Sequence, residues 1–323
     1  MNKKVLLATV ALSSLMVARA ACAMELWDPA TTGMSVGIPA GMLPPQGVYF
    51  VDDNFYGTTD SYDNSGNKVP NTKLYAYINV PVLIWSPGVK VLGATYAVAI
   101  AQPFDFTSSA AAPDSDGLNP GRNGGGNLGL YNTVINPIML SWNLMPLFVS
   151  TSLSVYLPTA TNTKLEMFQG KFHNGGFPSG NSFWTIQPNL GLTYLFPDGF
   201  SASVNMQLAF PITATNGSIE GMSYHYKSGV MLMNDYTISK AINQKWSAGI
   251  GGWTWNQLSH DSTSGTFPGA TSSGLNASYG VTEFVGYQFQ GGLKLQGLLS
   301  EGLAAKNDQG GGYSFNVRFS LPL

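Results

Sequence analysis

Apolar and polar positions alternate along several stretches of the chain. In residues 200–210, Phe200, Ala202, Val204, Met206, Leu208 and Phe210 alternate with Ser201, Ser203, Asn205 and Gln207. Residues 149–157, 184–196 and 313–323 repeat the pattern. A period of two marks strands with one apolar and one polar face. These segments run to about ten residues, beyond the ~5–6 of an ordinary globular strand. They match the ~9–11 tilted residues that cross a bilayer. No apolar run after residue 23 is long enough for a transmembrane helix.

Twelve candidate strands begin near residues 47, 73, 90, 128, 147, 183, 200, 224, 245, 278, 292 and 312. Short connections fall near residues 86–89, 143–146, 197–199, 240–244 and 290–291. Long ones, rich in Gly, Ser, Asn, Asp and Thr, fall near 57–72, 105–127, 158–182, 212–223, 259–277 and 304–311. This alternation predicts an all-β fold, a transmembrane antiparallel β-barrel of about 12 strands over residues 47–323. Short turns are expected in the periplasm and long loops outside a bacterial outer membrane. Trp85, Trp142 and Trp246 sit at short-turn ends, and Trp184, Trp253 and Trp255 at or near long-loop ends. Two aromatic girdles are therefore expected. Trp246 has the opposite parity from Trp253 and Trp255, which predicts a bulge or a wrong register in that strand. Glu283 shares the parity of Tyr279, Val281, Val285 and Tyr287. A carboxylate facing lipid is costly, which predicts a shifted register there.

Composition agrees with a membrane barrel. Charged residues make up 10% of the chain and aromatics 12%, with 38 glycines. Soluble domains carry ~25% charged residues, and disordered chains have few aromatics. A formal net charge of −2 gives no reason to expect a nucleic-acid partner. Residues 1–23 read as a secretory signal peptide: basic Lys3-Lys4, an apolar run to Ala18, then Ala21-Cys22-Ala23. Its removal takes away Lys3, Lys4 and Arg19, leaving 12 bases against 17 acids. It also removes the only cysteine, so no disulfide or thiolate metal site remains. Residues 24–46, with Gly37, Pro39, Pro44 and Pro45, do not alternate. They are expected as a periplasmic lead or a segment folded into the lumen.

Little in the sequence suggests catalysis or metal binding. The chain has three histidines, His173, His225 and His260. His173 and His260 fall in predicted loops without metal-ligand spacing. His260-Asp261-Ser262 sets a serine two residues from a histidine, the local arrangement of a barrel phospholipase, but in a loop and without a third orienting group. Residues 63–67 and 114–119 resemble fragments of calcium loops, yet lack the closing Glu; turn chemistry suffices for both. Gly124-Gly125-Gly126 lacks the strand-to-helix context of a phosphate loop.

Residues 226–261 read YKSGVMLMNDYTISKAINQKWSAGIGGWTWNQLSHD. Ser228-Gly229, Asp235-Tyr236, Gly249, Gly252, Gln257 and Asp261 resemble a pattern in the outer-membrane proteins named for the meta-pathway of phenol degradation. Residues 44–49 are similar to that family's Pro-rich lead into strand 1. Asn136-Pro137 with Leu140 and Trp142 is similar to the segment before its first Pro-terminated hairpin, and Leu157-Pro158-Thr159 to a strand exit. The chain departs from the family at Val230-Met231-Leu232, where relatives tend to carry an acidic residue. The resemblance implies an outer-membrane channel for hydrophobic or aromatic solutes.

On the clean strands the inward set is mostly Ser, Thr, Asn and Gln. Lys294 and Arg318 are its only charges there. A charge-selective pore would carry rings of one sign. Flexible methionines suit an adaptable apolar contact. The candidate lumen or substrate residues are Asp235, Gln257, Met231, Met233, Lys227, Arg318, Lys294, Asn205 and Gln207. The expected function is passive uptake of small hydrophobic or aromatic solutes. The alternatives are a structural or adhesion barrel acting through its loops, and a membrane-embedded hydrolase. No catalytic residue, metal or cofactor is assigned. Expected partners are outer-membrane lipid, a small-molecule solute and the barrel-assembly machinery.

Overall fold

The computed structural model describes residues 30–110, 128–161, 163, 166–168, 171–172, 179–219, 222–265 and 274–323. The proposed signal peptide, the tract at 114–119, Gly124 and His173 lie outside the described residues.

Twelve antiparallel strands form the wall. They are β1 (Gly47–Tyr62), β2 (Lys68–Ser86), β3 (Ala94–Ala101 continued by Phe104–Ala110) and β4 (Leu128–Leu130 continued by Val134–Leu144). Then come β5 (Leu147–Tyr156), β6 (Thr185–Leu195), β7 (Phe200–Pro211) and β8 (Met231–Ala241). The last four are β9 (Trp246–Gln257), β10 (Ala277–Gln288), β11 (Lys294–Lys306) and β12 (Tyr313–Pro322). Each strand pairs with the next, and β12 returns to β1 from Tyr49↔Pro322 to Gly57↔Ser314. Among the described residues, closure gives every wall strand a partner on each side, as strands in lipid require. Five short strands form a separate sheet from the long loops: Glu166–Phe168, Lys171–Phe172, Thr215–Ile219, Met222–Lys227 and Ser262–Gly265.

Alternation sets the two faces. On β10, Tyr279, Val281 and Val285 are exposed while Ser278, Gly280, Thr282 and Phe284 are buried. Exposed large apolar side chains cover the outside of strand after strand, among them Leu83, Ile138, Ile238, Ile250 and Leu299. That is the surface a membrane requires and water does not tolerate.

Three expectations need correction. First, β9 has no bulge: it pairs without a shift with both β8 and β10. Trp246 is 45% exposed, whereas Trp253 and Trp255 are 9% and 1% exposed and face inward. The parity conflict was real because the latter two belong to the lumen and not to a girdle. Second, β10 pairs with β9 without a shift; its pairing with β11 does shift, but at Tyr279/Gly280, and runs regularly from there past Glu283. Phe284 packs inward with Val36 and Leu298, and the hydroxyls of Thr282 and Ser300 meet at 2.8 Å. Those inward contacts fix the parity and leave Glu283 outside, opposite Ile250 and Leu299. Third, the strand expected from residue 224 is split at residues 228–230. The Gly229 N–H donates to Asp261 at 2.8 Å and the Val230 N–H to Ser259 Oγ at 2.9 Å. Diverted to side chains, these amides end one strand, and β8 begins at Met231.

Candidate functional site

The lumen holds the chain's own N-terminal segment. Residues 31–42 advance through successive tight turns, with Met34 N–H to Thr31 O, Val36 to Gly33, Ile38 to Ser35 and Met42 to Pro39. Glycines at 33, 37 and 41 recur every fourth residue. Gly33 adopts φ +78°, and a Cβ there would come within 2.9 Å of Trp253 Cδ1. At Gly41 a Cβ would collide with the Phe148 carbonyl. Small residues at this spacing let the segment lie flat against the wall.

Two buried ionic groups hold this plug. Asp235, 3% exposed, accepts the Gly33 and Ser35 N–H groups, each at 2.9 Å, and the Ser35 hydroxyl at 2.6 Å. Arg318, 1% exposed, donates from Nη1 to Val36 O at 3.0 Å and from Nη2 to Met34 O. Its Nε meets Asp53 at 2.8 Å, and Asn316 Nδ2 donates to the same carboxylate at 2.9 Å. Charged groups this deep persist only when paired and hydrogen-bonded; here backbone groups of the plug supply much of that pairing. Neutral bonds extend the seam. Asn205 Nδ2 reaches Ser35 Oγ at 3.1 Å, and Gln296 Nε2 reaches Gly37 O at 3.1 Å. The Gly41 N–H donates to Thr193 Oγ1 at 2.8 Å.

Toward the long loops lies an apolar cluster of Ala209, Met231, Met233 and Trp255, against which Ala30 packs. Across the wall, Gln187 Nε2 donates to Gln207 Oε1 at 3.1 Å and to Asn189 Oδ1 at 2.9 Å. Among the described buried polar atoms, Trp255 Nε1 and Gln187 Oε1 have no hydrogen-bond partner. Above the cluster, Gln257 Nε2 donates to Asp261, which also takes the Gly229 N–H. Burial raises the Asp261 carboxyl above its ordinary range, and these hydrogen bonds partly oppose the rise.

The structure thus gathers Asp235, Asn205 and Arg318 at the plug, and Met231, Met233 and Gln207 around the cluster. Gln257 sits in the Asp261 network. Lys294 lies at the short-turn end of β11, opposite Ser320 and Gln288. Lys227 lies outside the wall, paired with Ser262 in the smaller sheet. Ser262 belongs to that sheet too, and Asp261 is engaged by Gly229 and Gln257. Asp63 accepts the Ser65 and Asn67 N–H groups, both at 2.8 Å, as a turn does. Among the described residues no group of three His, Cys, Asp or Glu side chains could hold a metal ion. Sequence reasoning missed Asp53, Gly33 and Ser35. The repeat of glycine at every fourth position was the available signal for the plug.

The fold is that of known outer-membrane barrels. An outer-membrane channel of the COG4313 type from Pseudomonas putida F1 superposes with a TM-score of 0.70 at 16% identity, over 89% of this chain and 98% of that one. The transport unit of the autotransporter AIDA-I from Escherichia coli gives 0.51 at 8% identity, over 95% and 96%. The toluene transporter TbuX from Ralstonia pickettii gives 0.42 at 12% identity, over 88% and 92%. No curated protein sequence matches the chain. The closed 12-strand barrel, apolar on its outside, is the fold this chain shares with the first two of these outer-membrane proteins. The family described as "Putative MetA-pathway of phenol degradation" matches residues 58–319, most of the barrel, and the chain belongs to that family.

Proposed function

We propose that the barrel is a passive outer-membrane channel for small hydrophobic or aromatic solutes. Its long loops face outward and its short turns face the periplasm, as in other barrels of this kind. The observation that carries this is the lumenal cluster of Met231, Met233 and Trp255. These side chains are buried, and the flexible methionines can repack around an entering solute inside a wall that is otherwise hydrogen-bonding. The family's description and the channel that shares the fold agree with this reading. We place the path past the plug, which polar contacts hold to the wall, so that residues 30–42 shift when solute passes. The test is uptake of a radiolabelled monoaromatic solute by intact cells with and without the chain. Uptake should rise with the chain and fall back in Trp255→Ala. Equal uptake in cells with and without the chain would refute the proposal.

A further inference from the structure

A cavity of about 330 Å³ opens at the short-turn end of the barrel. It lies between the stretch where the plug leaves the lumen, residues 42–46, and the hairpins that join β2 to β3 and β4 to β5. Met42, Leu43, Val89 and Phe148 give it apolar walls, while Gln46 and Thr95 add hydrogen-bonding groups. Lys90 is the one ionisable residue that lines it. Neither of the two ion pairs found among the described residues uses Lys90.

The cavity's walls are fixed in place. Ser141 Oγ donates to Gly41 O and Ser150 Oγ to Ala40 O, both at 2.7 Å, which anchors the plug just before Met42. Pro44 and Pro45 then restrict the backbone of the lining stretch. A pre-formed site avoids much of the ordering cost of binding. Its volume is at the small end of the roughly 300–1,000 Å³ of small-molecule sites, room for one ring with a short substituent.

We propose that this cavity is a binding site on the exit side of the channel, and that it takes small amphiphilic anions: aromatic or short-chain carboxylates. The carboxylate lies at Lys90 and the hydrocarbon against Met42, Leu43 and Val89. The lumenal cluster presents no cation to a solute, whereas the exit cavity presents one and no opposing acid. A carboxylate is therefore held better here than a neutral compound of the same shape. The exit role rests on the channel reading; the binding site itself does not.

The experiment is equilibrium dialysis of the full-length protein in detergent against benzoate, benzyl alcohol and benzylamine. Benzoate should bind most tightly and benzylamine least. Lys90→Gln should weaken benzoate about two- to fivefold, the range of an exposed ion pair, and leave benzyl alcohol unchanged. Lys90→Arg should restore benzoate. Val89→Trp, which fills the cavity, should weaken both benzoate and benzyl alcohol. Benzoate binding no tighter than benzyl alcohol, or unchanged in Lys90→Gln, would overturn the site. Uptake by intact cells separates the two ideas. Uptake without Lys90-dependent binding overturns the site alone. Lys90-dependent binding without uptake supports the site and overturns its role as an exit.

Discussion

Replacing Asp235 with alanine should unseat the plug. The carboxylate takes three donors, the Gly33 and Ser35 amides and the Ser35 hydroxyl, within 2.6–2.9 Å. Leaving a buried donor unsatisfied costs about 1–3 kcal/mol. Some of that is recovered as the Ser35 hydroxyl rotates, so docking should weaken by about 3–5 kcal/mol. At ~1.4 kcal/mol per decade, the ratio of docked to displaced plug then falls by about a hundredfold or more. The wall should survive, because β8 keeps its full ladders with β7 and β9. Asn205→Ala is the internal comparison. It removes one neutral bond to Ser35 Oγ, a loss of about 0.5–1.5 kcal/mol, and should act at most about tenfold. Single-channel recording in planar bilayers reads the result. Asp235→Ala should show larger or more frequent open events than wild type, with Asn205→Ala between them. A folded Asp235→Ala barrel with wild-type conductance and gating would show that these hydrogen bonds do not hold the plug.

The other predictions concern the wall and the loops. Val204→Arg places a cation on the lipid face and should cost roughly 2–4 kcal/mol, reducing the yield of heat-modifiable barrel, whereas Asn205→Arg should mainly alter conductance; equal yields would contradict the register. Glu283→Leu should stabilise the barrel in a urea unfolding series, by less than the ~2–4 kcal/mol of a basic residue at mid-depth, and a loss of stability would mean that Glu283 has a partner. Burial pushes the Asp308 carboxyl up to about 6, against the opposing hydrogen bonds from the Gln309 N–H and the Ser278 hydroxyl. Because the folded value exceeds the ~3.9 of an unfolded Asp, the folded state keeps its proton longer and stability falls as pH rises from about 4 to 6. Asp308→Asn should therefore raise the thermal midpoint at pH 7, by up to roughly 3 kcal/mol of stability, and not at pH 4; an equal gain at both would exclude the titration.

The barrel was legible because each strand of an outer-membrane wall must bury one face in lipid and turn the other inward, a requirement written directly as alternation. The exceptions were legible only as conflicts. Trp246 against Trp253 and Trp255 looked like a bulge because indoles were assigned to girdles. Nothing in the alternation says that an indole inside the lumen packs against a plug glycine. Glu283 looked misplaced because cost alone was weighed. Its parity is set by the neighbouring Phe284, whose partner Val36 lies some 250 positions earlier in the chain. The same distance hid the site. Asp235 and Arg318 could be placed on the inward face, but their partners Gly33, Ser35, Met34 and Val36 belong to a segment with no period of its own. Lys227 was assigned to the lumen because alternation continues across residues 228–230, where the structure changes sheets.

In the proposed channel, solute passes through the lumen along the path that residues 30–42 occupy. Ser35 Oγ lies 3.1 Å from Asn205 Nδ2, so Ser35→Cys and Asn205→Cys, joined by a short bis-thiosulfonate cross-linker that forms a disulfide with each, tie the plug to the wall; Cys22→Ser leaves that pair as the only cysteines. The measurement is the initial rate of uptake of a radiolabelled monoaromatic solute by intact cells, before and after reduction. Cells with the disulfide-linked form should take up solute no faster than cells lacking the channel, and reduction should restore the rate of the Cys22→Ser protein. Uptake by the linked form at the full rate would contradict this path, because the solute would then be crossing without displacing the plug.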